Sequence, residues 1–192
     1  MSKTIQISNV IAQLDRDHAN IAILLDFLES EILAIDVGKT PDYPLLRDII
    51  RYMVEQKDEF HHPREDLIFT RLVERNPEYR VEIQAIGKEH ASIIASGRLF
   101  QRLLSEAHVD TVDSRQQLAS AGRAYVRELR NHLRKEEERL FPLAMTLLTE
   151  EDWHRIELES NAIADPVFDA RNDGGYQHLH KRINDHGGDN GS

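Results

Sequence analysis

His61-His62-Pro63-Arg64-Glu65-Asp66-Leu67-Ile68-Phe69 and His132-Leu133-Arg134-Lys135-Glu136-Glu137-Glu138-Arg139-Leu140-Phe141 decide how this chain is read. In each stretch a histidine is followed four residues later by a glutamate, and the run continues through leucine to phenylalanine. On an α-helix a spacing of four stacks two side chains on one face, one turn apart. If that face is the core face, an imidazole and a carboxylate are taken inside the protein. Ionisable groups are costly there unless they are paired or bound to a metal.

Working outward, both stretches sit in long apolar stripes of helical period. A first helix is expected from about Ile5 to Ala34, with Ile7, Ile11, Leu14, His18, Ile21, Leu25, Leu28 and Ile32 on its seam. The steps alternate four and three, the signature of a bundle-facing stripe. After a break at Gly38, Pro41 and Pro44, a second helix is expected from about Pro44 to Glu74, its seam holding Leu46, Ile50, Met53, Lys57, His61, Glu65, Ile68 and Leu72. Asn76-Pro77 stops it and opens a third helix to about Ala107, with Ile83, Ile86, His90, Ile93, Gly97, Phe100 and Leu104 on one face. A fourth is expected from about Ser114 to Leu148, through Leu118, Ala121, Tyr125, Leu129, His132, Glu136, Leu140 and Leu143. Thr149 and Asp152 have capping-box spacing for a short fifth helix, about Glu150 to Ile163. The expected fold is therefore all-α: an antiparallel up-down-up-down four-helix bundle over residues 1–148. A short C-terminal helical extension follows over 149–185, and then a Gly- and Asn-rich disordered tail over 186–192.

Each of the four seams carries one histidine, His18, His61, His90 or His132, and the positions repeat. His18 and His90 lie 72 residues apart; His61 and His132 lie 71 apart, as do Glu65 and Glu136. Helices 1–2 and 3–4 thus look like two copies of one unit. Packed about a pseudo-two-fold axis, they give two facing half-sites, hence two metal ions with Glu65 and Glu136 as bridges. His62 lies about 100° round the helix from His61. Pro63 follows at once, and a kink or π-bulge there would turn both rings inward, making His62 a fifth nitrogen ligand. Imidazole and carboxylate without thiolate suit iron, manganese or zinc, and bridging carboxylates with open positions point to redox iron. Asp66 and Tyr125 are candidates for touching the ligands from outside: Asp66 by orienting an imidazole, Tyr125 by a hydrogen bond from two turns away. Glu137 and Glu138 read as solvated faces.

These residues resemble the hemerythrin-like (HHE cation-binding) family, over about Ile5 to Leu148. Phe60-His61-His62-Pro63-Arg64-Glu65 is similar to its bacterial members, as are Thr149-Glu-Glu-Asp-Trp153 and Asp165-Pro-Val-Phe168 in the tail. The resemblance implies a bundle around two iron ions of the Fe2+/Fe3+ couple, joined by an oxo or hydroxo bridge, with zinc or manganese as substitutes. Oxygen-carrying members place two histidines one turn apart on the third helix, where His90 here stands alone. They also use a wider histidine-to-aspartate spacing on the last helix.

Composition narrows the functions. A net charge of −10 disfavours nucleic acid. The lack of cysteine removes thiolate sites and cysteine nucleophiles and fits a reducing cytoplasm. No apolar stretch has the length of a membrane span. Three functions share the ligand set: binding or sensing O2 or a related ligand such as NO or peroxide; a peroxidase- or catalase-like enzyme acting on H2O2; and iron or NO handling under stress. A sensor requires a separate signalling or redox partner protein. The oligomeric state is left open. A ferritin-like oxidase would want glutamates where helices 1 and 3 carry histidines.

Overall fold

The computed structural model describes residues 9–56, 61–106, 111–160 and 179 of the chain. Among the described residues the α-helices are α1 Asn9–Asp36, α2 Tyr43–Gln56, α3 His62–Arg75, α4 Arg80–Glu106, α5 Val112–Lys135, α6 Phe141–Leu147 and α7 Glu150–Ser160, and there is no strand. Ile5, the expected start of the first helix, Ile7 of its seam, Lys57 of the second seam, and most of the expected extension and tail beyond Ser160 lie outside the described residues. No helix among the described residues is long and apolar enough to cross a membrane.

The punctuation read in the sequence forms these ends. Gly38 takes φ +75°, open to a residue without Cβ, and the next amide, Lys39 N–H, reaches back to the Ala34 carbonyl at 2.8 Å. Asn76 ends α3, and its side chain accepts from Glu78 N–H at 3.1 Å to start the short 3-10 turn Pro77–Tyr79 ahead of α4. Thr149 and Asp152 cap α7 reciprocally: Asp152 Oδ2 accepts from Thr149 N–H at 2.9 Å and Thr149 Oγ1 from Asp152 N–H at 3.3 Å.

Two expected helices differ in form. The second is described as α2 and α3, with residues 57–60 between them outside the described residues; Pro63 lacks an N–H to continue an α-helical ladder and sits in the first turn of α3, just after a π-helical residue, His61. The fourth is continuous, but a π-helical turn over Glu136–Leu140 separates α5 from α6, with Phe141 N–H bonding the Glu136 carbonyl. Pro142 in the first turn of α6 again lacks the donor an α-helix needs. The wider turn rotates everything after Glu136. Phe141, Ala144 and Leu148 are buried beside Leu140, and Leu143, expected on the seam, is only partly covered.

Helix α1 packs on α2 and α5, and α4 packs on α2 and α5, which closes a bundle-like ring; α3 packs on α1, α4 and α6, and α7 on α1 and α3. The core has two apolar layers. One is built from residues such as Ile21, Leu25, Leu46, Ile50, Phe100, Tyr125 and Leu129. The other holds Ile11, Leu14, Ile68, Phe69, Ile86, Leu140 and Phe141, with Ile156 and Trp153 of α7 against it. His18 lies between Leu14 of one layer and Ile21 of the other, and His90 between Ile86 and Ile93. The ionisable seam residues therefore form a polar layer enclosed by two apolar ones.

Two glycines on α4 and α5 let helices approach. A Cβ on Gly97 would stand 2.8 Å from a Val54 methyl and 3.0 Å from the Tyr125 ring, both stiff side chains. Alanine gains about 1 kcal/mol of helix propensity, but overpacking of this kind costs about 1–3 kcal/mol. Gly97→Ala is therefore expected to lower the urea midpoint. A second expectation concerns Asp152, which Arg75 grips through Nε at 2.7 Å and Nη2 at 2.9 Å. Although burial pushes this carboxyl up, Arg75 and Thr149 pull it from 3.8 down to about 2. Its charge then stabilises the fold fully above pH 3.8 and loses that effect as pH falls through about 2. Asp152→Asn should cost about 1 kcal/mol at pH 7. In urea titrations from pH 7 to pH 2, the gap to the wild type should close at the acid end.

Candidate metal centre

His18 comes from α1, Glu65 from α3 with His61 just before it, His90 from α4, His132 from α5 and Glu136 from the π turn that follows. All six are buried, with both glutamates at 0 % exposure. They form two groups whose potential ligand atoms lie within 4.8 Å of one another: His18, His61 and Glu65, and Glu65, His90, His132 and Glu136.

The carboxylates connect the groups. Glu65 Oε1 lies 2.9 Å from His61 Nε2 and 3.4 Å from His18 Nε2, while Oε2 lies 3.5 Å from His90 Nε2. Glu136 mirrors this: Oε1 is 3.1 Å from His132 Nε2 and 3.5 Å from His90 Nε2, and Oε2 is 3.7 Å from His18 Nε2. Each carboxylate thus turns one oxygen toward each pair of histidines.

His62 is buried as well, its ring stacked on His90 at a centroid distance of 4.1 Å and 15° between planes. The π-helical residue before it brings two successive histidines inside, although His62 belongs to neither close group. Tyr125 is sealed in the upper apolar layer against Gly97. Asp66 is exposed, beside a surface depression between α3 and α4 lined by Phe69, Thr70 and Arg80. Burial raises its carboxyl above the usual value, His90 opposing this and Glu65 adding to it.

Three further carboxylates face the outward ring nitrogens, two of them within hydrogen-bond reach. Glu137 Oε1 lies 2.9 Å from His18 Nδ1, Glu89 Oε2 lies 3.3 Å from His132 Nδ1, and Asp17 Oδ2 lies 3.7 Å from His61 Nδ1. Glu137 is thus tied to the site while still facing solvent, which corrects its reading as a plain solvated residue. A neutral ring whose Nδ1–H donates outward presents a lone pair at Nε2. In that tautomer His18 and His132 would aim the lone pair into the space beside the glutamates. Burial raises Glu89, but Lys135 and His132 hold its carboxyl below the usual range.

The electrostatics of the centre call for positive charge. Burial raises the Glu65 carboxyl, yet His61 and His18 beside it hold it well below the usual range. Burial and the neighbouring Glu65 raise Glu136, and His132 and His90 bring it below its ordinary value. Even so, Glu65 Oε2, both oxygens of Glu136 and the Nε2 atoms of His90 and His132 are sealed from solvent without a hydrogen bond among the described residues. Orphaned acceptors and lone pairs of this kind cost free energy when nothing fills the space between them. Two atoms held by one cation at about 2.1 Å and near right angles lie about 3 Å apart. His18 Nε2 and His61 Nε2 are 3.2 Å apart, and His61 Nε2 and Glu65 Oε1 2.9 Å. The residues present therefore fit a metal ion, by donor type, spacing and unmet need.

No curated protein matches the chain. The sequence model of the hemerythrin HHE cation binding domain matches residues 9–145, from the first residue of α1 into α6 and across every residue of the polar layer, so the chain belongs to the hemerythrin HHE cation-binding family.

Proposed function

We propose that the chain holds two iron ions in its polar layer and uses them to bind or sense O2 or a related small ligand, NO or peroxide. The observation that carries this reading is that both buried carboxylates turn one oxygen toward each histidine pair. His18 and His61 would hold one ion and His90 and His132 the other, with Glu65 and Glu136 each offering one oxygen to either side. His62, stacked on His90, serves as the fifth nitrogen donor. When bound, iron of the Fe2+/Fe3+ couple supplies the electrons that these side chains lack, whereas zinc would fill the same donors without redox chemistry.

The chain's own residues prepare the site. Ile21, Ile93, Leu129 and Leu140 are buried in the two flanking layers. They exclude water and lower the local dielectric, so that charges inside interact more strongly. Glu137 and Glu89 hold the Nδ1 protons of His18 and His132 outward. The helices are taken to run antiparallel, up-down-up-down, around the centre. Residues 1–148 then form the bundle domain and residues 149–185 a helical extension. A cytoplasmic setting and a separate signalling or redox partner belong to the same proposal.

The deciding measurement uses protein purified without a histidine tag. Elemental analysis is expected to find two irons per chain, and the reduced form to gain a visible absorption band in air that is lost on degassing. Catalytic consumption of added H2O2 would move the assignment to an enzyme. A chain that takes up no iron after anaerobic reconstitution would overturn it. Stability gives an independent check. A metal bound only by the native state adds about 2.7 kcal/mol at a hundred times its dissociation constant. Zinc should therefore raise the melting temperature by several degrees, and Glu65→Ala should abolish most of that increment.

A further inference from the structure

The repeat that relates the ligands extends to residues outside them. Asp17 and Glu89, each immediately before a ligand histidine, lie 72 residues apart, as His18 and His90 do. Arg64 and Lys135, each immediately before a ligand glutamate, lie 71 apart, as Glu65 and Glu136 do. In three dimensions the correspondence is kept. Asp17 Oδ2 meets Arg64 Nη1 at 3.1 Å and faces His61 Nδ1 at 3.7 Å. Glu89 Oε1 meets Lys135 Nζ at 2.6 Å, and its other oxygen faces His132 Nδ1 at 3.3 Å.

Resting on the two-metal reading above, we propose that these two acid–cation pairs are positioning devices, Asp17–Arg64 for His61 and Glu89–Lys135 for His132, and that their unequal burial makes the two metal sites unequal. The acid faces the outer nitrogen of the histidine supplied by the next helix of its own repeat. The cation, one residue from the ligand glutamate, holds the acid in place and balances its charge. An outer carboxylate fixes the ring's tautomer and orientation and raises its basicity, and its loss costs about 10- to 100-fold in metal affinity.

The copies differ in setting. Asp17 and Arg64 are both buried, at 4 % exposure, and Gln13 Nε2 donates to Asp17 Oδ1 at 2.8 Å. Glu89 and Lys135 have side chains 32 % and 53 % exposed and border a surface depression with Ser92, Glu128 and Asn131. Water competes for the exposed pair and screens it. Even with His62 beside His90, the ion on His90 and His132 is therefore expected to leave faster, because the outer pair behind His132 is the more exposed one.

The test follows release of zinc, a closed-shell probe, from tag-free protein into an excess of chromophoric chelator. Two zinc per chain leaving in two phases of equal amplitude are expected. Glu89→Gln should speed the fast phase about 10-fold or more and leave the slow one. Glu89→Asp, which keeps the charge, should restore wild-type rates, a rescue that a purely structural role does not predict. Asp17→Asn should speed the slow phase. Should that variant lose its helical circular dichroism, Glu89→Gln, at a half-exposed surface position, decides alone. Two zinc per chain with wild-type release from Glu89→Gln overturns the positioning role only. Fewer than two zinc in the wild type overturns the two-metal reading beneath it.

Discussion

Two carboxylates taken out of water set the terms for the rest of this molecule. Glu65 and Glu136 have no exposure at all and lie in one polar layer. Like charges so close, in surroundings of low dielectric, are tolerated only when opposite charge or donors reach them. The four seam histidines supply part of the compensation, and a pair of divalent cations would supply the remainder. The apolar layers built on Leu14 and Phe141 on one side and Leu25 and Leu129 on the other then serve two ends. They provide the hydrophobic stabilisation of the bundle, and they keep water from satisfying the orphaned oxygens cheaply. Filling the site and keeping it dry are the same physical problem.

The two π-helical features follow from that constraint. An α-helix offers one seam, and a site that needs several inward groups from one segment exhausts it. At His61 the wider geometry lets His62 turn inside as well, and at Glu136–Leu140 it lets Leu140 and Phe141 both pack beneath the ligand glutamate. A proline follows each one closely, Pro63 and Pro142, so the missing N–H falls where the α-helical ladder is already interrupted. π-Bulges concentrate at functional sites because they carry a local cost that only such a gain repays.

Much of this was legible in the sequence, for reasons of period. Every described residue of the four–three stripe of α1 is buried, and the histidine-to-glutamate spacing of four picks out the candidate ligand pairs without knowledge of the fold. What escaped depended on relations between helices. Leu143 looked like a seam residue because an unbroken period of 3.6 puts it there, and only the π turn, set by long-range packing, hands its place to Phe141 and Ala144. Asp17 lies off the four–three stripe, one position before His18. Its role emerges when α3 brings Arg64 and His61 against it. A signal was nevertheless present: the intervals of 72 and 71 residues that pair the ligands also pair Asp17 with Glu89 and Arg64 with Lys135. Extending the repeat by one residue on either side of each ligand would have found them.

That extension bears on how a duplicated unit would hold the two metals proposed for it without their behaving alike. If each half-site were a strict copy, both ions would be held equally, and a small ligand would have no preferred side. The ligands themselves are nearly symmetric, each glutamate oxygen finding a histidine nitrogen between 2.9 and 3.7 Å away. The surroundings are not. His62 stacks its ring on His90 at 4.1 Å and stands farther from His61, at 5.8 Å, while His18 is tied to the solvent-facing Glu137 and His61 faces the buried Asp17–Arg64 pair. Symmetry among the ligands lets the centre share its bridges. Asymmetry around them, carried by burial, can tune one proposed ion against the other beyond what the extra ring of His62 does.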